Sequence, residues 1–199
     1  MAKKTQLPPG HPATPKEEER IKELLAHAKI GPKDIWDWLL VGDGSGSTWD
    51  RAAGWACISV TRMNGQLFVD DSSHGASLRG TNNCAEIMAY VLPLSAVMSS
   101  LPDSDRFRQV HIFTDSEYTQ TTGNRVQSGA TPDKNALLWE TFRAAKRAGL
   151  VLRWHWLPRA THGFNRYADD LSRRSRVLFT ELAIRERMGK EERIFPGNI

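Results

Sequence analysis

WDWLLVGDGSGSTW, residues 36–49, is the stretch that decides the fold of this chain. Its apolar run, Trp38 to Val41, predicts a buried strand, and the Gly and Ser residues around Asp43 predict a loop where that strand ends. Small residues beside a carboxylate let the backbone of a ligand approach closely. Asp-Gly after a strand is most often just a turn, so the meaning of Asp43 depends on carboxylates elsewhere in the chain.

Length and composition bound the class of protein. The 199 residues suit one domain of roughly 150 residues with extensions. No apolar run approaches the length of a membrane span, and the N-terminus lacks the apolar segment of a signal peptide. Cys57 and Cys84 fit neither a metal-binding spacing nor a disulfide framework. We therefore expect a cytoplasmic monomer without a membrane partner, and the net charge of +4 permits a polyanionic partner without demanding one.

Hydrophobic patterning predicts the element order βββαβαβα, preceded by one helix. Asn64-Gly65 is a strong hairpin signal, so the first three strands are predicted to be antiparallel. An α/β fold with a five-stranded mixed sheet flanked by helices is the natural way to bury the apolar faces. The predicted strands are 35–42, 53–62, 66–71, 109–114 and 150–156, and the predicted helices are 15–30, 81–99, 116–121, 133–148 and 164–188.

The remaining segments are predicted to be irregular. Residues 1–14 are rich in Pro and predict disorder, whereas helix 15–30 is expected to cap the fold, with docking to a partner as the alternative. Pro93 is expected to kink or split its helix, and Leu137 is expected on the inner side of its own. Loops or a loose tail are predicted at 72–80, 123–131 and 189–199.

Four carboxylates fall at comparable places in these elements. Asp43 and Asp115 come at strand ends, and Glu86 and Asp169 lie on helices. Neighbouring carboxylates raise each other's pKa, and a hard cation such as Mg²⁺, which prefers oxygen ligands, resolves that conflict. Any one of them alone is more often a solvated group, and Asp169 could simply pair with Arg173 one helical turn later. Together, without a His/Cys cluster, they predict metal-assisted phosphodiester chemistry.

Five segments, in the right order, resemble the motifs of the type 1 ribonuclease H family. The resemblance covers about residues 35–180 as a catalytic domain. It leaves 1–34 as an N-terminal extension, disordered and then helical, and 181–199 as a helix end and tail. The segments are Asp43-Gly-Ser-Gly, Thr81-Asn82-Asn83-Cys-Ala-Glu86, Thr114-Asp115-Ser116-Glu117-Tyr118, Asn135-x-x-Leu138-Trp139 and Asn165-x-x-Ala168-Asp169-x-Leu171.

The resemblance implies an endoribonuclease that hydrolyses the RNA strand of RNA/DNA hybrids. The four carboxylates would hold two Mg²⁺ ions, with Mn²⁺ able to substitute. One ion would activate water and the other would stabilise the leaving 3′ oxygen, so the products would carry a 5′-phosphate and a 3′-hydroxyl. The family senses 2′-hydroxyls across the minor groove, and the nucleic-acid-binding residues implied here are Ser45, Gly46, Thr81, Asn82 and Asn83. Simple helix capping is the alternative for Asn82 and Asn83.

The chain departs from many relatives in two places. Where they carry a His before the last carboxylate, Leu157-Pro158-Arg159 resembles a variant with Arg in its place. Arg159 is therefore the first candidate to assist catalysis, and His162 in the same loop is the second. The basic handle of many relatives is absent after the Asp-Ser-x-Tyr segment, so hybrid affinity would come from elsewhere, with the cluster Arg173-Arg174-Arg176 as one candidate.

Two other functions remain open from the sequence. One is a catalytically weak domain of this fold that only binds nucleic acid, and the presence of all four carboxylates argues against it. The other is a DNA nuclease of the same superfamily, and the Thr81-Asn82-Asn83 segment favours hybrid recognition instead.

Overall fold

The computed structural model describes residues 10–31, 33–47, 52–77, 80–101, 108–159 and 161–194, with side chains described as far as 186. Its strands are β1 (His11–Pro12), β2 (Trp38–Gly46), β3 (Ala53–Met63), β4 (Gln66–Ser77), β5 (Arg108–Thr114) and β6 (Leu150–Trp156). Its helices are α1 (Pro15–His27), α2 (Asn82–Ser100), α3 (Glu117–Gln127), α4 (Ala136–Arg147) and α5 (Gly163–Ile194).

The strands form one mixed sheet in the order β1-β4-β3-β2-β5-β6. The pairings from β1 to β2 are antiparallel, and the pairings β2–β5 and β5–β6 are parallel. This confirms the α/β class and the antiparallel start of the sheet. No helix in the described residues is long and apolar enough to cross a bilayer.

The sheet has six strands, so the prediction of five was wrong. The additional strand pairs His11 with Val69 and Pro12 with Phe68, inside the segment 1–14 that was predicted to be disordered. A strand of two residues is too short to show the alternation of apolar and polar residues by which strands are predicted. Strand β1 forms because it pairs with β4, and not because of a preference of its own sequence. Residues 1–9 of that predicted segment lie outside the described part of the chain.

Three elements are longer than the sequence indicates. β4 continues to Ser77 because it stays paired with β3, although its second half is Ser, His and Gly without an apolar alternation. α3 continues to Gln127 through Gly123, where a Cβ would overlap the indole of Trp154, so this Gly serves close packing rather than a helix end. α5 continues to Ile194 where a tail was predicted, and Pro93 does not split α2.

The core lies on both faces of the sheet, because alternate residues of a strand point to opposite sides. Leu40 packs with the cluster under α2 and α4, and Leu39 and Val41 pack with the cluster under α1. Ile21 and Leu24 of α1 are fully buried in that second cluster, which confirms the prediction that this helix caps the fold.

The inner face of α4 differs from the predicted one. Leu137 is 90% exposed, whereas Trp139, Phe142 and Ala145 are buried. The helix begins at Ala136, after Asn135 in a left-handed conformation. The buried positions then recur every three residues from Trp139, which places Leu137 on the solvent side of the first turn.

Two histidines stack between the last two strands. The rings of His111 and His155 are nearly parallel with centroids 5.1 Å apart, and Nδ1 of His111 lies 2.9 Å from Nε2 of His155. Burial lowers the pKa of each to about 4. The unfolded chain takes up these protons below about pH 6.5, so the stability that the neutral pair confers is present above that pH and is lost as the pH falls toward 4.

Replacing one histidine of this pair should reduce the acid sensitivity of the fold. His155→Gln should lose less free energy of unfolding between pH 7 and pH 5 than the wild type, as measured by urea denaturation in EDTA. His11→Gln, at an exposed site, is the matched control and should follow the wild type. An equal loss of free energy of unfolding in all three proteins would show that the His111–His155 pair does not cause the acid sensitivity.

Candidate active site

Two neighbouring parallel strands deliver the first two carboxylates. The ladder between β2 and β5 ends at the pair Val41 and Phe113. Asp43 and Asp115 each follow that last pair by two positions, so both lie where β2 and β5 part. Asp115 comes just after β5 ends, whereas Asp43 stays inside β2 and is paired with Ala56 of β3, so the loop predicted around Asp43 is strand in the structure. Asp43 is only 1% exposed, and the Asp115 side chain is also largely covered.

The third carboxylate comes from the first turns of α2. Thr81 caps this helix by accepting a hydrogen bond from the backbone nitrogen of Cys84 at 3.1 Å. The helix start packs directly on β2, since a Cβ at Gly44 would overlap the backbone nitrogen of Glu86. This close approach buries Glu86, which is 4% exposed, beside Asp43.

The three carboxylates form one acidic cluster. Asp43, Glu86 and Asp115 each offer an oxygen, and these oxygens lie within 4.8 Å of one another. Oδ1 of Asp43 and Oε2 of Glu86 are buried and have no hydrogen-bond partner in the described residues. Buried, unpartnered carboxylate oxygens are the ligands that a hard divalent cation prefers, so this donor set fits such an ion.

The pKa values of the three carboxylates also indicate that the cluster suits a cation. Burial, and then the charge of Asp115, raise the pKa of Asp43 to about 7. Burial, and then the charge of Asp43, raise the pKa of Glu86 well above its usual range, and burial also raises that of Asp115. A bound cation would favour the ionised forms and reverse these shifts.

Asp169 stands beside the cluster without joining it. Its Oδ1 lies 3.0 Å from Nη2 of Arg173, the pairing that the sequence offered as an alternative. The charge of Asp169 still contributes to the raised pKa values of Asp43 and Asp115. The structure therefore brings three of the four predicted carboxylates together and places the fourth within electrostatic range.

Ser172 is a site residue that the sequence reasoning missed. Its hydroxyl is fully buried and donates a hydrogen bond to Oδ2 of Asp43 at 2.9 Å. One further turn along α5, Nε of Arg176 donates to the hydroxyl of Ser45 at 3.1 Å. The available signal was a small polar residue three positions after Asp169, on a helix face where Ala168 is buried.

The predicted nucleic-acid-binding residues surround the start of α2. Asn82 links the loop to the cluster, because its Oδ1 accepts from the backbone nitrogen of Gly46 at 3.0 Å and its Nδ2 donates to Oε1 of Glu86 at 3.4 Å. Thr81, rather than an Asn, supplies the cap. Thr81, Asn82 and Asn83 are all exposed, so a ligand could reach them.

Arg159 and His162, the two candidates to assist catalysis, lie in the loop before α5 or at its end but face different surroundings. Nε of Arg159 lies 3.9 Å from Oδ2 of Asp115, and this side chain is 75% exposed. His162 is buried against α1. Its Nε2 donates to the carbonyl of Arg20 at 2.9 Å, and its Nδ1 accepts from the backbone nitrogen of Phe164 at 3.2 Å. Both ring nitrogens thus face Arg20, Glu23 and Phe164 rather than the acidic cluster, and a catalytic role for His162 stays a prediction that this geometry does not favour.

The mixed sheet carries an acidic cluster that fits a divalent cation where its parallel strands β2 and β5 part, an arrangement of the ribonuclease H-like class. Residues 37–176 match the family model of RNase H. The chain is 30% identical to the ribonuclease H of Cereibacter sphaeroides over 148 residues, which are 69% of this chain and 93% of that protein. It is 31% identical to the ribonuclease H of Brucella ovis, over 66% of this chain and 84% of that one.

The chain therefore belongs to the ribonuclease H family, and it is a ribonuclease H enzyme. Solved structures share its fold. The N-terminal RNase H domain of rv2228c from Mycobacterium tuberculosis, fused to maltose-binding protein, superposes with a TM-score of 0.56 at 19% identity, covering 75% of this chain and 99% of that one. LC11-RNase H1 in complex with an RNA/DNA hybrid gives 0.54 at 18% identity, covering 72% and 99%.

Proposed function

We propose that this enzyme hydrolyses the RNA strand of RNA/DNA hybrids with two divalent ions, Mg²⁺ or Mn²⁺, leaving a 5′-phosphate and a 3′-hydroxyl. The observation that carries the proposal is the acidic cluster of Asp43, Glu86 and Asp115, with two unpartnered oxygens. The chemistry of the family and the hybrid bound by LC11-RNase H1 support this substrate class.

The acidic cluster would hold the ions, and Asp169 would complete the set. Bound divalent cations lower the pKa of water and stabilise charge on phosphate oxygens during an in-line displacement. The protein orients the cluster through the Ser172 hydroxyl on Asp43 and the Asn82 amide on Glu86. These two contacts fix the rotamers of buried carboxylates before any ligand arrives.

The hybrid would bind across the surface that leads from β2 to the start of α2. Ser45, Gly46, Asn82 and Asn83 would contact 2′-hydroxyls in the minor groove, which distinguish RNA from DNA. Thr81 would hold a DNA-strand phosphate at the N-terminus of α2, where backbone N–H groups and the helix dipole favour an anion. Arg176, already bonded to Ser45, would add positive charge at the edge of this surface.

Substitutions of Arg159 and His162 should have different effects, one on catalysis and the other on stability. Arg159→Ala should lower kcat for the hybrid by about 10²-fold, because its guanidinium beside Asp115 would stabilise charge that develops on the phosphate. His162→Gln should leave kcat within about threefold and lower the thermal midpoint instead, since it loses the buried hydrogen bond to Arg20 of α1. The reverse pattern in kinetics and calorimetry would return the catalytic role to His162.

The substrate class is tested by presenting several nucleic acids to one preparation. End-labelled RNA is offered as a hybrid, as a single strand and as an RNA duplex, beside a DNA duplex. We expect cutting of the hybrid's RNA strand alone, with ends that a 5′-phosphate-dependent ligase accepts. Cutting of the DNA duplex would favour the DNA nuclease, and binding of the hybrid without cutting would favour the binding domain.

We also propose that the enzyme works as a monomer in the cytoplasm. Both cysteines are free, which is consistent with a reducing compartment. Sedimentation at micromolar concentration tests the oligomeric state, and a mass of twice 22.4 kDa would contradict it.

A further inference from the structure

One buried tyrosine touches all three elements that carry the acidic cluster. Tyr90 lies one helical turn after Glu86 on α2 and is fully buried. Its hydroxyl oxygen is 2.9 Å from the carbonyl oxygen of Gly42 and 2.8 Å from that of Phe113. It also accepts a hydrogen bond from the backbone nitrogen of Gly42 at 3.2 Å.

These contacts lie where the pairing between β2 and β5 ends. The β2–β5 ladder ends at the pair Val41 and Phe113, and the hydroxyl contacts Phe113 itself and Gly42, the residue after Val41. Gly42 precedes Asp43, and Phe113 lies two positions before Asp115. The Tyr90 hydroxyl thus bridges the two strands at the end of their ladder, one residue before Asp43 and two residues before Asp115.

The packing leaves this hydroxyl little freedom. A Cβ at Gly42 would lie 2.7 Å from the Tyr90 ring, so the ring rests directly on the strand. The other side of the ring meets Trp154 edge-on, with centroids 5.8 Å apart. A hydroxyl has one proton, so it donates to one carbonyl at a time while accepting from the Gly42 nitrogen. Phenylalanine would fill the same space without this bridge.

We propose that Tyr90 is a positioning residue that sets the spacing of Asp43 and Asp115, and thereby the affinity of the site for divalent cations. The kinetic part of this inference rests on the proposed function, but the metal affinity does not. A tyrosine that served only to fill the core would contribute to stability and would leave metal affinity unchanged.

Tyr90→Phe and Tyr167→Phe form a matched pair of variants. Tyr167 bonds Asp71 at the surface, so its variant loses the same chemical group away from the cluster. For Tyr90→Phe we expect about tenfold weaker Mn²⁺ binding by calorimetry and about tenfold lower kcat at limiting Mg²⁺, with KM for the hybrid within about twofold of the wild type. Excess metal should restore part of the rate. Tyr167→Phe should match the wild type in all of these measurements.

Unchanged Mn²⁺ affinity and kcat in a folded Tyr90→Phe protein would overturn the inference, whatever its thermal midpoint. If the variant does not fold, amide hydrogen exchange in the wild-type protein tests independently whether the Tyr90 bridge is present. The Gly42 amide should exchange as slowly as the paired amides of β2, and fast exchange would show that the bridge is absent. Weakened Mn²⁺ binding in the variant, with a wild type that cuts no hybrid, would refute the proposed function and leave this inference standing.

Discussion

Asp43→Asn should abolish hydrolysis of hybrid RNA while making the metal-free protein more stable. Asparagine keeps the size of the side chain and an oxygen to accept from Ser172, but it removes a charge from the centre of the acidic cluster. Metal ions contribute several kcal/mol to charge stabilisation in such reactions, so we expect kcat to fall by about 10³-fold or more.

The stability of this variant should carry a pH signature. Burial and the charge of Asp115 raise the pKa of Asp43 to about 7, so the folded protein holds a proton that the unfolded chain releases near pH 4. Folding stability contributed at this site therefore falls as the pH rises from about 4 to about 7. Asp43→Asn lacks that loss, so its advantage in EDTA should be largest at and above pH 7.

Thermal melts in EDTA at several pH values, beside cleavage assays in Mg²⁺, measure both effects. Each kcal/mol of added stability should raise the midpoint by about 2–4 °C. Asp133→Asn removes an exposed carboxylate and serves as the control, with activity and midpoint unchanged. Near-normal cleavage by Asp43→Asn would show that the cluster is not the metal site.

Gly44→Ala should damage both the fold and the site through one added methyl group. The Cβ would overlap the backbone nitrogen of Glu86, so α2 must shift away from β2 and carry Glu86 with it. Overpacking of this kind destabilises by about 1–3 kcal/mol, and a displacement of about 1 Å can lower a rate by about 10²-fold. We therefore expect a lower thermal midpoint, weaker Mn²⁺ binding and strongly reduced kcat.

Gly31→Ala is the matched control, because the nearest atom to its Cβ is a side-chain oxygen of Asp34 at 3.3 Å, which can move. It should leave Mn²⁺ affinity and kcat unchanged. If Gly44→Ala bound Mn²⁺ as tightly as the wild type, the close approach of α2 to β2 would not be what places Glu86.

Local patterns were enough to predict the class of fold, whereas the residues of the acidic cluster were singled out by the resemblance of five segments to the ribonuclease H family. Asp43 and Asp115 follow apolar strand segments, and Glu86 follows a capped helix start, but each of these places is more often a turn, a cap or a solvated helix face. Strand β1 could not be predicted in this way, because two residues carry no periodicity and their pairing depends on β4.

The contacts that position the site were also beyond the sequence. Ser172 reaches Asp43 and Tyr90 reaches Gly42 across elements that are distant in the chain, and neither residue type signals such a partner. His162 was selected for its chemistry and its loop, but the packing of α1 decides where its ring faces. The sequence shows which residues are present, but packing between elements distant in the chain determines how their side chains are oriented.

The most direct test of the account is the metal dependence of cleavage of one hybrid. An end-labelled RNA annealed to DNA is incubated with the purified wild-type protein over a range of Mg²⁺ concentrations, in Mn²⁺ and in EDTA. The acidic cluster predicts cutting of the RNA strand that rises with either metal and is absent in EDTA. Equal cutting in EDTA, or none at any metal concentration, would contradict the assignment of Asp43, Glu86 and Asp115 as the metal site of a hybrid-cleaving enzyme.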